Sequence, residues 1–168
     1  MKKMYIFLFM FLISINIFCQ EDILYSDNGY IYFRNQNYNI MIALVNDLME
    51  TMNIWNIPNI TPIIKQTTTV KVNEQISLFI VYATNKDSIN LTYNLRLLEP
   101  NGEFSENGHN GLIISNKVIN KDILYTAAQL PTIVFEEEEE IGEYHFVIEV
   151  YDNDEFIKTF ILKFSLLE

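Results

Sequence analysis

Apolar and polar residues alternate with a period of two along most of the chain after Pro62, which is typical of β-strands with one buried face. The clearest example is a hairpin near the C-terminus, in which Asp152, Asn153 and Asp154 supply the turn. We expect its two strands to face the core with one set of side chains: Tyr144, Phe146, Ile148, Val150, Phe156, Phe160, Leu162, Phe164 and Leu166.

Shorter segments with the same character precede this hairpin, and no helical crossover separates them. Antiparallel strands at intervals of about 8–15 residues predict a β-sandwich. The expected fold is mostly β, an Ig-like antiparallel β-sandwich of about seven strands preceded by one amphipathic α-helix. Its earlier strands are predicted at 67–72, 76–83, 91–97, 112–114 and 130–135, with a further short strand at 29–33.

A helical period appears only before the sandwich. Between about 40 and 54, apolar residues recur at a spacing of three and four, which predicts an amphipathic helix that ends before Pro58. This helix can pack on the main domain or present a Met-rich stripe to a partner, and packing is favoured because a lone helix is unstable in water. The organisation is therefore a leader at 1–19, a lead-in at 20–56 and a sandwich at 57–168.

The N-terminus has the pattern of a signal peptide. Lys2 and Lys3 precede an apolar run of about 15 residues, which is too short for a membrane span of about 20. Cleavage after Cys19 predicts an exported protein, periplasmic or secreted, with no membrane span once the leader is removed. Two alternatives remain: a lipoprotein anchored at Cys19, and a leader that stays uncleaved.

Two stretches of the sandwich carry a resemblance to a known family. Residues 142–153, with the sequence GEYHFVIEVYDN, resemble the penultimate strand and final turn of Ig-like and fibronectin-III-like bacterial domains. In those folds a tyrosine near the start of this strand bonds to the backbone of the preceding connection, and Tyr144 with Gly142 matches that position. Residues 95–102 are similar to the strand and turn of the same domains.

The resemblance covers about 57–168 and is architectural. The arrangement of Trp55 before a Pro-containing segment resembles that of small exported bacterial proteins that have one such domain and are of unknown function. The resemblance implies structural roles for Tyr144, Gly142 and Trp55. It implies no catalytic or cofactor-binding residue, because sandwiches host many unrelated activities.

Composition narrows the classes of partner. The 168 residues are 49% hydrophobic, which excludes a disordered polyanion, and the single cysteine excludes a disulfide framework. The net charge of −11 becomes −13 when Lys2 and Lys3 leave with the leader. We therefore expect no nucleic-acid partner, since two polyanions repel each other.

Two acidic clusters are candidates for a cation site. The run Glu136–Glu140 is a solvated loop, a source of oxygen ligands for Ca²⁺ or a docking patch for a basic protein. A solvated loop is favoured, because loops that bind Ca²⁺ normally separate their ligands with turn residues. The Ig-like topology places it at the opposite end of the sandwich from Asp152 and Asp154. Asp87, Asp152 and Asp154 are thus the only grouping that suits Ca²⁺, but Asp and Asn at a hairpin usually serve the backbone geometry of the turn. We therefore expect no metal and no cofactor.

The motifs of catalysis are missing. His109 and His145 lack the spacing of a zinc site, and neither a nucleophile elbow nor a phosphate loop occurs. The leading hypothesis is thus an exported, non-enzymatic domain that binds another protein or an envelope component through loops or a strand edge. The alternatives are an enzyme or enzyme inhibitor with a site in loops 101–130, and a structural or chaperone-like periplasmic subunit.

Overall fold

The computed structural model describes residues 22–57, 62–106, 108–115 and 123–168, so the predicted leader at 1–19 lies outside the described residues. Eleven strands and one helix occur in these ranges. Their bounds are β1 Ile23–Ser26, β2 Tyr30–Arg34, β3 Tyr38–Val45, α1 Leu48–Trp55, β4 Thr69–Lys71, β5 Gln75–Thr84, β6 Asn90–Leu98, β7 His109–Ser115, β8 Tyr125–Thr126, β9 Thr132–Val134, β10 Gly142–Asp152 and β11 Glu155–Leu167.

The strands form two sheets that pack face to face. The first sheet has the order β1-β11-β10-β6-β7, with β4 also paired to β11, and the second has the order β2-β3-β5-β8, with β9 also paired to β5. All pairs are antiparallel except β1 and β4, which run parallel to β11. The prediction of a mostly β, Ig-like sandwich is confirmed.

The C-terminal hairpin forms the centre of the first sheet. Its turn consists of Asn153 and Asp154, which both have a positive φ, of 50° and 67°. The predicted core side chains are buried, except Phe156, which is 46% exposed. A bulge between Val150 and Tyr151 shifts the register by one residue, and this turns Phe156 to the other side of β11.

The prediction of a helix from 40 to 54 is wrong in its first half. Residues 38–45 form β3, which lies between β2 and β5, and the helix begins only at Leu48. Asp47 caps it, since its Oδ1 accepts the backbone N–H of Glu50 at 2.8 Å. Because β3 is largely buried on both faces, the run at 40–45 is apolar throughout and fits the helical period as well as the strand period of two. Pairing with β2 and β5 makes it a strand.

The lead-in is part of the sandwich. Strand β1 extends the first sheet, while β2 and β3 supply two of the strands of the second. The sandwich therefore starts at residue 23 and not at 57.

The helix packs on the outer face of the second sheet, as the pattern favoured. Val45, Phe79 and Val81 form a small cluster there, and Leu48, Met52 and Trp55 of α1 cover it. The rings of Trp55 and Phe79 meet edge to face at a centroid distance of 5.5 Å. This second layer explains why β5 is apolar on both faces.

Candidate functional site

The carboxylate of Asp152 is buried at one end of the sandwich and is saturated with donors. Its Oδ2 accepts hydrogen bonds from the Tyr38 hydroxyl and the Lys86 ammonium, each at 2.6 Å. Its Oδ1 accepts the backbone N–H of Asn90 and the side-chain amide of Asn153, each at 2.9 Å. The carboxylate thereby joins β3, the β5–β6 loop, β6 and the hairpin turn.

These contacts decide the charge states of the cluster. Burial by itself would raise the pKa of Asp152, but the hydrogen bonds from Lys86, Tyr38 and the Asn90 amide together lower it. The hydrogen bond to Asp152 is in turn the main reason that the pKa of Lys86 is raised. The side chains therefore form an ion pair, with Asp152 3% exposed and Lys86 36% exposed.

The grouping of Asp87, Asp152 and Asp154 that suited Ca²⁺ is not assembled as a site. Within the described ranges, no three Asp, Glu, His or Cys side chains converge on a position that would hold a metal ion. Asp152 has used its lone pairs on four donors, one of them a cation, and Asp154 belongs to the left-handed turn of the hairpin. Asp152 is instead a structural link between the two sheets.

The run Glu136–Glu140 forms an exposed turn before β10. It lies at the opposite end of β10 from Asp152, as the topology predicted. The hydroxyl of Tyr144 donates to the carbonyl oxygen of Glu140 at 2.8 Å, which is the contact that the family resemblance implied. Burial, followed by the charges of Glu139, Glu99 and Glu140, raises the pKa of Tyr144 to about 12, so the phenol stays protonated at neutral pH.

Gly142 opens β10 beside the turn at Pro100. A Cβ added at Gly142 would lie 3.0 Å from the Cβ of Pro100, so these two segments of the chain approach closely.

The two histidines lie on opposite sides of the first sheet. His145 contacts Glu143 at 3.4 Å on β10, whereas the ring of His109 lies 6.0 Å from that of Tyr93 on the other side of the first sheet.

A groove of about 600 Å³ opens between the two sheets on the side of β7 and β9. Its floor is apolar and buried, and consists of Leu95 and Leu97 of β6 and of Phe135. Its walls and rim also carry polar side chains. The lining residues are Leu95, Leu97, Glu99, Ser105, His109, Gln129, Leu130, Pro131, Thr132, Ile133, Val134, Phe135 and Glu139.

One end of the groove is closed by the chain that crosses between the sheets. The backbone N–H groups of Ala128 and Gln129 donate to Ile113 and Leu112 of β7, at 3.0 and 3.1 Å. The side-chain oxygen of Gln129 accepts the N–H of Leu112 at 2.8 Å, which strengthens this closure. At the other end, Glu99 and Glu139 form an acidic rim.

The wall of the groove includes an unpaired strand edge. In β9, the carbonyl oxygen of Pro131 accepts the N–H of Leu78 at 3.0 Å, so the odd-numbered residues of this segment bond to β5. Because bonding alternates along a strand, the backbone groups of Thr132 and Val134 point away from β5. Within the described part of the chain, β5 is the only strand that pairs with β9.

The sequence placed a possible site in loops 101–130, and the groove includes His109, Ser105 and Gln129 from that region. The sequence did not indicate the opposite wall of the groove, because its pattern at 130–135 predicts only an ordinary strand. Nor did it indicate the Asp152 network, whose members lie up to 114 positions apart. Pro131 is the sequence signal that could have indicated the edge at β9, because proline lacks a backbone N–H and is confined to edge strands and to the first residue of a strand.

No protein-family model and no curated protein matches this chain. Solved structures similar to it include a Niemann-Pick type C2 protein from Japanese carpenter ant, at 8% identity and a TM-score of 0.42, covering 84% of this chain and 96% of that one. An immunoglobulin-like protein from Pseudomonas aeruginosa has 16% identity and a TM-score of 0.32, with 62% and 81% covered.

A third similar structure is the alkylpurine DNA glycosylase AlkC of Pseudomonas fluorescens, at 11% identity and a TM-score of 0.39. The match covers 60% of this chain and spans only 28% of the glycosylase. Separately, none of the helices in the four described ranges has the length and hydrophobicity that a membrane span requires.

Proposed function

We propose that this chain is an exported, non-enzymatic binding domain that holds an extended, basic segment of a partner protein in the groove between its sheets. The observation that carries the proposal is the combination of an apolar floor with an unpaired strand edge in one groove. A segment added along β9 gains main-chain hydrogen bonds from Thr132 and Val134. Its alternate side chains then point towards Leu95 and Leu97.

The volume and the composition of the groove suit such a ligand. The groove has a volume of about 600 Å³, which lies within the usual range of about 300–1,000 Å³ for ligand pockets. Val134 is 55% exposed at its edge, and this apolar surface would be covered by the added segment. Burial of apolar area would supply most of the affinity.

The charge of the rim selects for a basic partner. Glu99 and Glu139 line the groove, and Glu136–Glu140 continues the negative surface beyond it. The chain as a whole carries −11, so cationic segments are attracted and anionic ones are repelled at long range. Arg or Lys residues that flank the apolar positions of the ligand would pair with these carboxylates.

The signal-peptide pattern at 1–19 supports export, and the alternatives of a lipoprotein anchored at Cys19 and a structural or chaperone-like subunit are compatible with the same groove. An enzyme or enzyme inhibitor would use it as well, because His109, Glu99 and Glu139 all line it. Acid–base catalysis would require one of these groups to reach a reacting proton. A loss of turnover in a His109→Ala variant that still binds its ligand would favour the enzyme.

A peptide library displayed on phage, selected on the immobilised full chain, tests the proposal. We expect enriched peptides with alternating apolar residues and flanking Lys or Arg, and their affinity should fall as salt is raised. The variants Val134→Arg and Glu139→Lys should each weaken binding about tenfold or more.

Two matched controls accompany these variants. Ile23→Arg changes an apolar residue that is 51% exposed and remote from the groove. Glu155→Lys reverses the charge of an exposed carboxylate at the end of the sandwich opposite the acidic rim. Both should bind the peptides as the parent chain does. If no peptide is enriched, or if groove and control variants bind alike, the groove is not the binding site.

A further inference from the structure

Strand β2 is a second open edge, on the other side of the molecule from β9. It pairs with β3 over Tyr30–Arg34, and among the described residues no other strand joins it. Tyr30 and Tyr32 are 43% and 57% exposed on its outer face. Within the described ranges, five residues of edge therefore lack a partner strand.

The hydrogen bonds of the hairpin reveal which backbone groups point outwards. The N–H of Leu44 donates to Gly29 at 2.8 Å, and the N–H of Asn35 donates to Tyr38 at 2.9 Å. Bonding alternates in an antiparallel pair, so Ile31 and Phe33 bond to β3 while Tyr30, Tyr32 and Arg34 point to the free edge. Of these groups, the N–H of Tyr30 has a long contact of 3.4 Å with the Asn28 side chain.

The edge has few of the features that prevent pairing with other chains. Exposed edges are usually protected by lysine, proline, a bulge or an inward-pointing charge. Strand β2 contains no lysine or proline, its register with β3 has no bulge, and its only charge is Arg34 at the last position. Its inward side chains, Ile31 and Phe33, are apolar.

We propose that two copies of this chain associate through β2, antiparallel and centred on Tyr32. The symmetric register pairs Tyr32 with Tyr32 of the second copy, and Tyr30 with Arg34. Those are the three residues whose backbone groups point outwards, so each opposed pair exchanges two hydrogen bonds. The two second sheets then form one continuous sheet across a two-fold axis.

The side chains on the outer face are complementary in the same register. Arg34 lies opposite Tyr30 of the other copy, where its guanidinium can stack on the ring as a cation–π pair. The two Tyr32 rings meet at the axis, and aromatic cross-strand pairs stabilise antiparallel strands. A shift of the register by two residues would put Arg34 beside Tyr32 and leave backbone groups unpaired.

The net charge of −11 on each copy opposes association at long range. At the contact itself, Arg34 is the only charged residue that each β2 strand contributes. Raised salt screens the repulsion over about 10 Å at 0.1 M and leaves backbone bonds and apolar burial intact. The dimer should therefore strengthen with salt, in contrast to the proposed peptide binding in the groove. The two sites fail independently, since β2 contributes no residue to the groove.

Sedimentation velocity of the full chain across a concentration series tests the dimer. Tyr32→Lys places two like charges on the axis and should weaken dimerisation about tenfold or more. Phe104→Lys is the matched control, because Phe104 is an aromatic residue that is 46% exposed beside Leu98 of β6, away from β2, and should have no effect. Dimerisation lost with Phe104→Lys but retained with Tyr32→Lys would overturn the proposal, as would a monomer at every concentration.

Hydrogen exchange and a cross-link then test the register. Amides of Tyr32 and Arg34 should slow as the concentration rises, whereas those of Ile31 and Phe33 should be slow throughout. In a Cys19→Ser background, Tyr32→Cys should form a disulfide-linked dimer on oxidation, since opposed Cα atoms lie about 5.5 Å apart in a bonded pair. Arg34→Cys should not, and a reversed result would contradict the proposed register.

Discussion

The hydroxyl of Tyr38 donates a hydrogen bond of 2.6 Å to Oδ2 of Asp152 and so joins the two sheets of the sandwich. Tyr38 begins β3 in the second sheet, and Asp152 ends β10 in the first. Lys86 completes the contact from the intervening loop. This cluster holds the end of the sandwich opposite the acidic rim of the groove.

Replacing Tyr38 by Phe removes one donor from a buried carboxylate and leaves the ring in place. A hydrogen bond to a charged group contributes about 1.5–3 kcal/mol, so the free energy of unfolding should fall by about 2 kcal/mol in urea denaturation. Tyr32→Phe, which loses an exposed bond of 3.3 Å to Asn39, should change it by less than about 0.5 kcal/mol. Equal losses in the two variants would argue against a special role for the cluster.

The same cluster predicts how stability depends on pH. The pKa of Asp152 is lowered in the fold, so its contribution is present above the unfolded value near 3.8 and is lost as the pH falls through the folded one. The pKa of Lys86 is raised, so its contribution is complete below about 10.5 and is lost only at still higher pH. The pair should therefore stabilise the fold throughout the neutral range.

Asp152→Asn measures this dependence. Its Tm should lie below that of the parent chain by a constant gap between about pH 5 and 9, equivalent to about 3 kcal/mol, and the gap should narrow below about pH 4. Asp154→Asn is the control, because asparagine also accepts the left-handed turn conformation. A gap that is unchanged at acid pH would mean that ionisation of Asp152 does not stabilise the fold.

Gly111 lies in β7 directly against the buried ring of Tyr93. A Cβ at this position would overlap the ring, so Gly111→Ala should cost about 2–3 kcal/mol through overpacking. At Gly108 the nearest atom would be the Leu95 carbonyl oxygen, at an ordinary 3.6 Å, and Gly108→Ala should change stability by less than about 0.5 kcal/mol. Thermal denaturation of the two variants separates close packing from a general effect of alanine in this segment.

Trp55 tests whether the helix belongs to the folding unit. Trp55→Ala removes the edge-to-face contact with Phe79 and uncovers part of the outer cluster, at a cost of about 2 kcal/mol for a half-buried ring. Met49→Ala, on the same helix but 70% exposed, should be nearly neutral in the same calorimetric measurement. A neutral Trp55→Ala would show that the helix docks without stabilising the sandwich.

The pattern of apolar residues by itself determined the fold class and the C-terminal hairpin. Each strand there is long, has one polar and one apolar face, and is followed by a turn with residues that tolerate a positive φ, so the local signal and the final structure agree. The role of Tyr144 was implied by the resemblance of residues 142–153 to Ig-like domains, and its hydrogen bond to Glu140 has the form that this resemblance implied. These features depend on neighbours within a few residues.

Tertiary structure alone decided the rest. Residues 40–45 are apolar at every position, so neither period prevails until β2 and β5 pair with them and α1 covers the outer face. Asp152 had the composition of a cation ligand, and only the arrival of Tyr38 and Lys86 from distant segments turned it into a buried ion pair. The groove and the two open strand edges likewise exist because sheets assemble from residues far apart in sequence, which local spacing does not encode.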